Sequence, residues 1–454
     1  MKKNLWIWAI AALSMAACTS EDVPTTAQIV TENAWISPDG RVVVQLGAES
    51  TPAAVISRAP IEGSNITVLK ELGIFAVNRT GSINPDELTQ WPNSINNILL
   101  LNVKAQGAED PNEDGKEVDP LDKEVNKGKK LSLFDTEVTA PGAVYYYPMQ
   151  GNQNFDFYGY QPRQEEVTIN NGKAQVTISL NGDVDLITGK AEQAPQIDNL
   201  YETEAVEGTK PDMVLDPING YNAKYIRKIK YHNWIIDESQ NLSTEYQLDK
   251  NDKKPFIPNI KFGHRLTKLN FQIITAQEQA GEGNQGNDRE EAKALRVHSI
   301  ELKNVHTIAK LTIEPDMTLA YDGRPTDGTG MAMIKTNTDD NAIWADANTI
   351  IPQEYNEDPD HEYTTAGYLM VPATTAITDY DEFPYQIALT VVAKDETGVP
   401  HEQDIVLNFK SDNVFEAGKS YNIRIALYAQ QEVHVSAELT PWDEQTPPVY
   451  IPVE

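Results

Sequence analysis

Apolar and polar residues alternate with period two along much of the chain. Ala174, Val176, Ile178 and Leu180 fall in one phase, as do Ile387, Leu389, Val391 and Ala393, and then Ile405, Leu407 and Phe409. Tyr421, Ile423, Ile425 and Leu427 repeat the pattern, followed by Val433, Val435, Ala437 and Leu439. Successive side chains of a strand point to opposite faces, so this period predicts half-buried strands. Turn formers separate them at Asn170-Asn171-Gly172, Asn181-Gly182-Asp183, Asp395 to Gly398 and Ala417-Gly418-Lys419. That spacing suits antiparallel sandwiches with hairpin or Greek-key links. Helical periodicity is scarce, and Asn96 to Ala105 and Asp288 to Leu295 are the segments that predict short helices. The expected fold class is all-β: two β-sandwich domains, Greek-key-like, with few short helices.

Length and composition refine this picture. A chain of 454 residues exceeds the usual single-domain size, which favours two domains with a core each. Residues 106–130 are charged and almost free of apolar side chains, as in a long exposed loop, whereas 237–258 cluster Asn, Asp, Lys and Pro as an interdomain linker does. The division is therefore placed near 250, with domains at 59–250 and 251–442 and a tail at 443–454. Lys plus Arg total 37 against 68 Asp plus Glu, a net charge of −31 that repels phosphate backbones and argues against a nucleic-acid partner.

The N-terminus changes the picture more. Lys2 and Lys3 precede an apolar run, Leu5 to Leu13, too short to span a bilayer, and Ala16-Ala17 stand before Cys18. Residues 1–17 look like a bacterial lipoprotein signal, with Met15 where such signals usually carry Leu. That likeness implies a lipid on Cys18 and a cut in front of it. Cys18 is the only cysteine, so no intrachain disulfide can form. Thr19, Ser20, Glu21 and Asp22 resemble the surface-export signal of Bacteroidetes lipoproteins, which points to the outer membrane and then the cell surface.

Candidate chemistry is sparse. Gly281, Gly283 and Gly286 match G-x-G-x-x-G, but polar or small residues separate them from the preceding apolar stretch, and a flexible hairpin loop accounts for them better than a dinucleotide site. His361-Glu362 and His401-Glu402 begin as a zinc helix motif does, yet Thr365 and Ile405 occupy the second histidine positions. Asp110, Asn112 and Asp114 resemble the first half of a calcium loop; Leu121 stands where the bidentate glutamate belongs, and a solvated acidic loop is favoured. No nucleophile motif is present, so no catalytic residue, cofactor or metal is expected. Paired carboxylates of a glycosidase stay open among so many acids. Tyr145 to Tyr147 and Phe155 to Tyr160 could stack on sugars; core plus sheet surface is the favoured reading, with Phe155, Phe157 and Gly159 on one face and Asp156, Tyr158 and Tyr160 on the other.

Several stretches in order resemble the fimbrillin family, the Bacteroidetes pilins and fimbrial lipoproteins of the type V pilus. They are Tyr146-Tyr147-Pro148, then Phe155 to Tyr160, Gly182 to Thr188 and Phe262 to Ile273, and later Leu369 to Pro372, Phe415 to Ile423 and Val433 to Trp442. The resemblance implies an N-terminal and a C-terminal sandwich, of transthyretin-like type, and assembly outside the outer membrane. It also implies a trypsin-like protease that cuts after an arginine in the first strand region. Arg58-Ala59 sits where that cut would fall, making 18–58 a removable segment. A neighbour's strand would then fill the groove, because a missing strand leaves apolar surface and unpaired edge groups. Arg41 is a second possible cut site, but it precedes the Val42 to Leu46 strand. Val449, Ile451 and Val453 alternate as a donor strand would; a disordered tail or an edge strand of its own domain suits them equally. Arg58 on the solvent face of an uncut strand is the other reading, suited to an anchor or tip.

The expected partners are other fimbrial subunits, a maturation protease, the outer membrane through lipid on Cys18, and a host or bacterial surface ligand. The alternative function is an uncleaved surface glycan-binding lipoprotein with the 145–160 aromatics as its platform.

Overall fold

The computed structural model describes residues 37, 39–50, 69, 71–93, 95, 97–107, 129–149, 153–191, 200–201, 213–214, 221–223, 226, 257–275, 294–335, 344–345, 349–356, 358, 361–394, 399–409, 414–427, 433–440 and 449–451. The chain lays down β1 (Gly47–Ser50), β2 (Leu72–Asn78), the helix α1 (Pro85–Gln90), β3 (Ile98–Gly107), β4 (Lys129–Leu133) and β5 (Phe155–Gln161). A hairpin of β6 (Thr168–Asn170) and β7 (Lys173–Ser179) follows, then β8 (Ile187–Ala191) and the short pair β9 (Leu200–Tyr201) and β10 (Met213–Val214). Next come β11 (Asn259–His264), β12 (Leu266–Thr275), β13 (Arg296–Lys303), β14 (Ile308–Thr312) and β15 (Thr318–Asp322). Four two-residue strands, β16 (Met331–Ala332), β17 (Ile334–Lys335), β18 (Trp344–Ala345) and β19 (Thr349–Ile350), lead to β20 (Gly367–Pro372). The course ends with β21 (Gln386–Lys394), β22 (Pro400–Asn408), β23 (Ser420–Leu427), β24 (Val433–Thr440) and β25 (Val449–Ile451).

The architecture is all-β, as the alternation requires. The first sandwich takes the form of a sheet that closes on itself, in the order β1-β11-β8-β5-β2-β3-β4, with β1 pairing β4 to complete the barrel. Its interior holds Leu72, Ile74, Ala76, Leu100, Phe155, Phe157 and Phe262. A second sheet, β15-β14-β7-β6, lies over one side of this barrel and traps another core between Phe75, Val77, Tyr158 and Tyr160 below and Ala174, Val176, Ile178, Ala309 and Leu311 above. This sheet draws strands from both halves of the sequence, since Ile178 of β7 pairs with Ala309 of β14. The remaining strands form a true sandwich of β17-β20-β12-β23-β24-β25 against β18-β19-β13-β21-β22. Its core contains Leu269, Phe271, Leu389, Val391, Ile423 and Ile425. Strand pairing among the described residues is mostly antiparallel; β1 with β11 and β12 with β23 run parallel.

Local chemistry explains the boundaries. Asn171 and Gly172 both take positive φ, 51° and 74°, which is what the two-residue turn joining β6 to β7 needs. Gly418 at 73° turns the chain into β23. Asn96 to Ala105, expected as a helix, is a correction: most of it is β3. Ile98, Leu99 and Leu100 are buried in succession because β3 has a core on each face, and a run buried all round cannot reveal its period. Of the second helix expectation only Ala294 and Leu295 are described; 288–293, the glycines at 281–286 and nearly all of the 237–258 linker lie outside the described residues.

Candidate functional site

The segment entering β1 alternates as far as Leu46: Val42, Val44 and Leu46, and then Ala48, are buried in the barrel core, while Val43 and Gln45 are half-buried. Backbone bonds tie it down on both flanks. The Val44 N–H donates to Tyr145 O (2.8 Å), Tyr147 N–H to Val42 O (3.0 Å) and Leu131 N–H to Leu46 O (2.9 Å). On the other side the Gly47 N–H donates to Pro258 O (2.9 Å), and Gly47 to Ser50 run parallel to Asn259 to Phe262. Gly47 suits this approach, since a Cβ there would sit 2.9 Å from Asn259 Oδ1.

A tight turn precedes the segment. Arg41 Nε meets Asp39 Oδ2 at 2.6 Å, and its guanidinium lies 3.9 Å from the centre of the Tyr146 ring. The Ser37 hydroxyl, and after it Arg41, hold the Asp39 carboxyl below its usual range. This cut-site candidate is therefore engaged in an ion pair and a ring stack. Arg58 and Ala59 lie outside the described residues, between Ser50 and Leu69, as does Cys18.

At the other end β25 runs antiparallel to β24, with Val449 opposite Leu439 and Ile451 opposite Ala437. The donor candidates Val449 and Ile451 are thus paired with their own chain, on the rim of the six-stranded sheet; Val453 lies outside the described residues.

Tyr158 and Tyr160, expected on a sheet surface, are buried beneath the β15-β14-β7-β6 sheet, while Phe155 and Phe157 fill the barrel. Burial pushes the Tyr160 phenol up to about 12 and those of Tyr145 and Tyr158 higher still. Tyr147 is also buried, so these rings cannot form a platform for sugars. Asp110, Asn112 and Asp114 lie outside the described residues. Among the described residues no group of three or more His, Cys, Asp or Glu side chains could hold a metal. His298, rather than a second motif histidine, is the imidazole near Glu402, at 3.1 Å.

One cluster escaped sequence reasoning. Asp185, between β7 and β8, is hydrogen-bonded to His264 Nδ1 at the end of β11, and both side chains are almost fully buried. Burial pushes the Asp185 carboxyl up, opposed by the His264 hydrogen bond and charge and by the charge of Lys268 in β12. Two of the stretches that suggested the family, Gly182 to Thr188 and Phe262 to Ile273, therefore meet in space. In the sequence Asp185 follows Asp183 by two positions and His264 stands between Gly263 and Arg265, so no local pattern marks the pair.

No curated protein matches the chain in sequence. Among solved structures, a fimbrial protein from Bacteroides vulgatus shares 13% identity over 88% of this chain and 99% of its own, with a TM-score of 0.43. A fimbrial assembly protein from Parabacteroides distasonis shares 8% over 90% and 99%, with a TM-score of 0.35. The tip fimbrial protein Mfa3 from Porphyromonas gingivalis, with a C-terminal truncation, shares 10% over 88% and 100%, with a TM-score of 0.30. The model of the fimbrillin-like family matches residues 242–442.

Proposed function

We propose that this protein is a structural and adhesive subunit of a cell-surface fimbria of the type V pilus kind, without catalytic activity. It is exported as a lipoprotein through Cys18 and matured by a trypsin-like cut after Arg58, which detaches everything up to and including β1. The proposed division runs from a barrel-bearing N-terminal domain to a C-terminal sandwich, with the tail beyond Trp442 as donor. A cut leaves a building block and an uncut chain an anchor or tip.

The observation that carries this reading is the place of the segment at 42–50. It supplies four buried apolar side chains and closes the barrel between β4 and β11. Fully burying each Val or Leu is worth roughly 1.5–3 kcal/mol, so a chain that loses this segment has a large incentive to accept another strand. The vacated place has two unpaired edges and an apolar floor, which suits an incoming strand with alternating apolar residues. A contact of that kind joins head to tail and need not close, so it grows filaments.

Trypsin treatment of the purified precursor tests this. The expected product is a stable fragment beginning at Ala59, followed by ladders that resist SDS. Cleavage at Arg41 instead, or no stable fragment, would sink the polymerising version.

A further inference from the structure

The chain passes from barrel to sandwich at a single residue. β11 ends in the barrel at His264, Arg265 bridges, and β12 begins the sandwich sheet at Leu266. Three separate stretches of backbone are bonded together around that crossing. The Arg265 N–H donates to Leu186 O (2.8 Å), the Met370 N–H to Gly182 O (2.8 Å) and the Gly418 N–H to Leu266 O (2.8 Å). Gly182 has φ +89°, and a Cβ there would stand 2.5 Å from Leu369 Cδ2, so the 182–186 segment sits hard against β20 of the sandwich.

Inside this joint lies the hydrogen-bonded pair of Asp185 and His264, their side chains 7% and 2% exposed. Burying an acid and an imidazole without need is costly, and removing one partner strands the other. Lys268, the next charge along β12, is itself partly withdrawn from water with its ammonium 5.1 Å from the Tyr368 ring centre. Apolar residues would weld the joint more cheaply. What a buried, directional pair adds is one geometry, because a hydrogen bond weakens steeply when its partners turn.

We propose that Asp185 and His264 are positioning residues that lock the sandwich onto the barrel in one orientation. The lock fixes where β25 stands relative to the β1 groove. This consequence rests on the strand-exchange reading: the orientation between the place that receives a strand and the place that offers one would set the rise and twist of a filament. The lock itself belongs to the single chain.

Hydrogen exchange on the full-length, uncut protein tests it, with the amides of Arg265, Met370 and Gly418 as reporters. In H264A and D185A these three exchange at least about tenfold faster than in wild type, while Gly159 in the barrel and Ile423 in the sandwich keep their rates. D185N retains an oxygen that can accept from the imidazole and restores slow exchange. Unchanged exchange at the joint in H264A would overturn the lock, and so would acceleration spread evenly over barrel and sandwich, which would mean loss of core stability alone. Should the joint behave as stated while trypsin yields no polymer, the strand-exchange reading falls and the lock stands.

Discussion

β1 and β25 are both short strands near an end of the described chain, and they hold their places by opposite means. β1 has a neighbour on each side, β4 and β11, and the residues leading into it fill the barrel core. Among the described residues β25 has one neighbour, β24, along three residues. A strand held on both edges and one face cannot leave without opening the sheet, whereas a rim strand leaves its sheet intact. The lesson is that the two ends are suited to different parts in an exchange: covalent cutting would be needed to free the first, and thermal motion would suffice for the last.

The largest expected effect falls on the segment that leads into β1. Leu46 is 2% exposed and faces the barrel core, so Leu46→Asp places a charge where no partner waits. The expected loss is about 3–5 kcal/mol in the uncut chain, measured as the shift of the urea unfolding midpoint. A loss below about 1 kcal/mol would show that the 42–50 segment is a loose cover rather than part of the barrel, and the asymmetry between the ends would vanish.

A smaller effect is expected at Asp185, which lies between the two ends in the chain. Burial raises the Asp185 carboxyl in the folded chain, and His264 and Lys268 only partly offset this. The folded state therefore keeps its proton at pH values where the unfolded chain, with an ordinary value of about 3.9, has lost it. The contribution of this group to stability then grows as pH falls toward that ordinary value and is complete below it. Asp185→Asn removes the titration. Urea unfolding of wild type and variant at several pH values should give curves that differ most near neutrality, with the variant at least as stable there, and converge in acid. Glu314, also raised by burial, titrates in both proteins and cancels in the difference.

How far these features were legible depends on burial geometry. β7, β21 and β23 could be read because alternate residues such as Val176 and Ile178, Ile387 and Leu389, or Ile423 and Ile425 are buried while their neighbours are less so. β5 was legible as a strand but not in its surroundings: Tyr158 and Tyr160 are covered by a sheet that includes β14, from well over a hundred residues further on, and nothing local announces such a partner. β3 does not read as a strand in the sequence because Ile98 to Leu100 are buried consecutively and Asn102, at φ 47°, interrupts the pattern. Asn102 accepts a hydrogen bond from the Tyr160 hydroxyl (2.9 Å) and donates to Gln164 O, so its backbone is held by side-chain chemistry that only the fold assembles. The candidate site divides in the same way. The alternation of Val42, Val44 and Leu46 is plain in the sequence, but its double-sided pairing is not, and Asp185 and His264 meet only because β8 and β11 are neighbours.

The least disruptive change bears most directly on the last strand. Deleting 449–454 removes one rim strand and the three backbone-paired positions that join it to Leu439, Glu438 and Ala437. β24 keeps its eight paired positions with β23, from Ser420 opposite Thr440 to Leu427 opposite Val433, so the six-stranded sheet loses its outermost strand and nothing within. Each net backbone hydrogen bond is worth about 0.5–1.5 kcal/mol, and the entropy regained by six residues offsets most of it. The expected change in the urea midpoint is therefore within about 1 kcal/mol, with the barrel amides unaltered in hydrogen exchange. If the tail serves as donor, the same truncated chain, cut at Arg58, stays monomeric on an SDS gel run without boiling while full-length material forms ladders. A truncated chain that still polymerises would assign the donor elsewhere, and one that unfolds would show that β25 belongs to its own sheet as firmly as β1 does to the barrel.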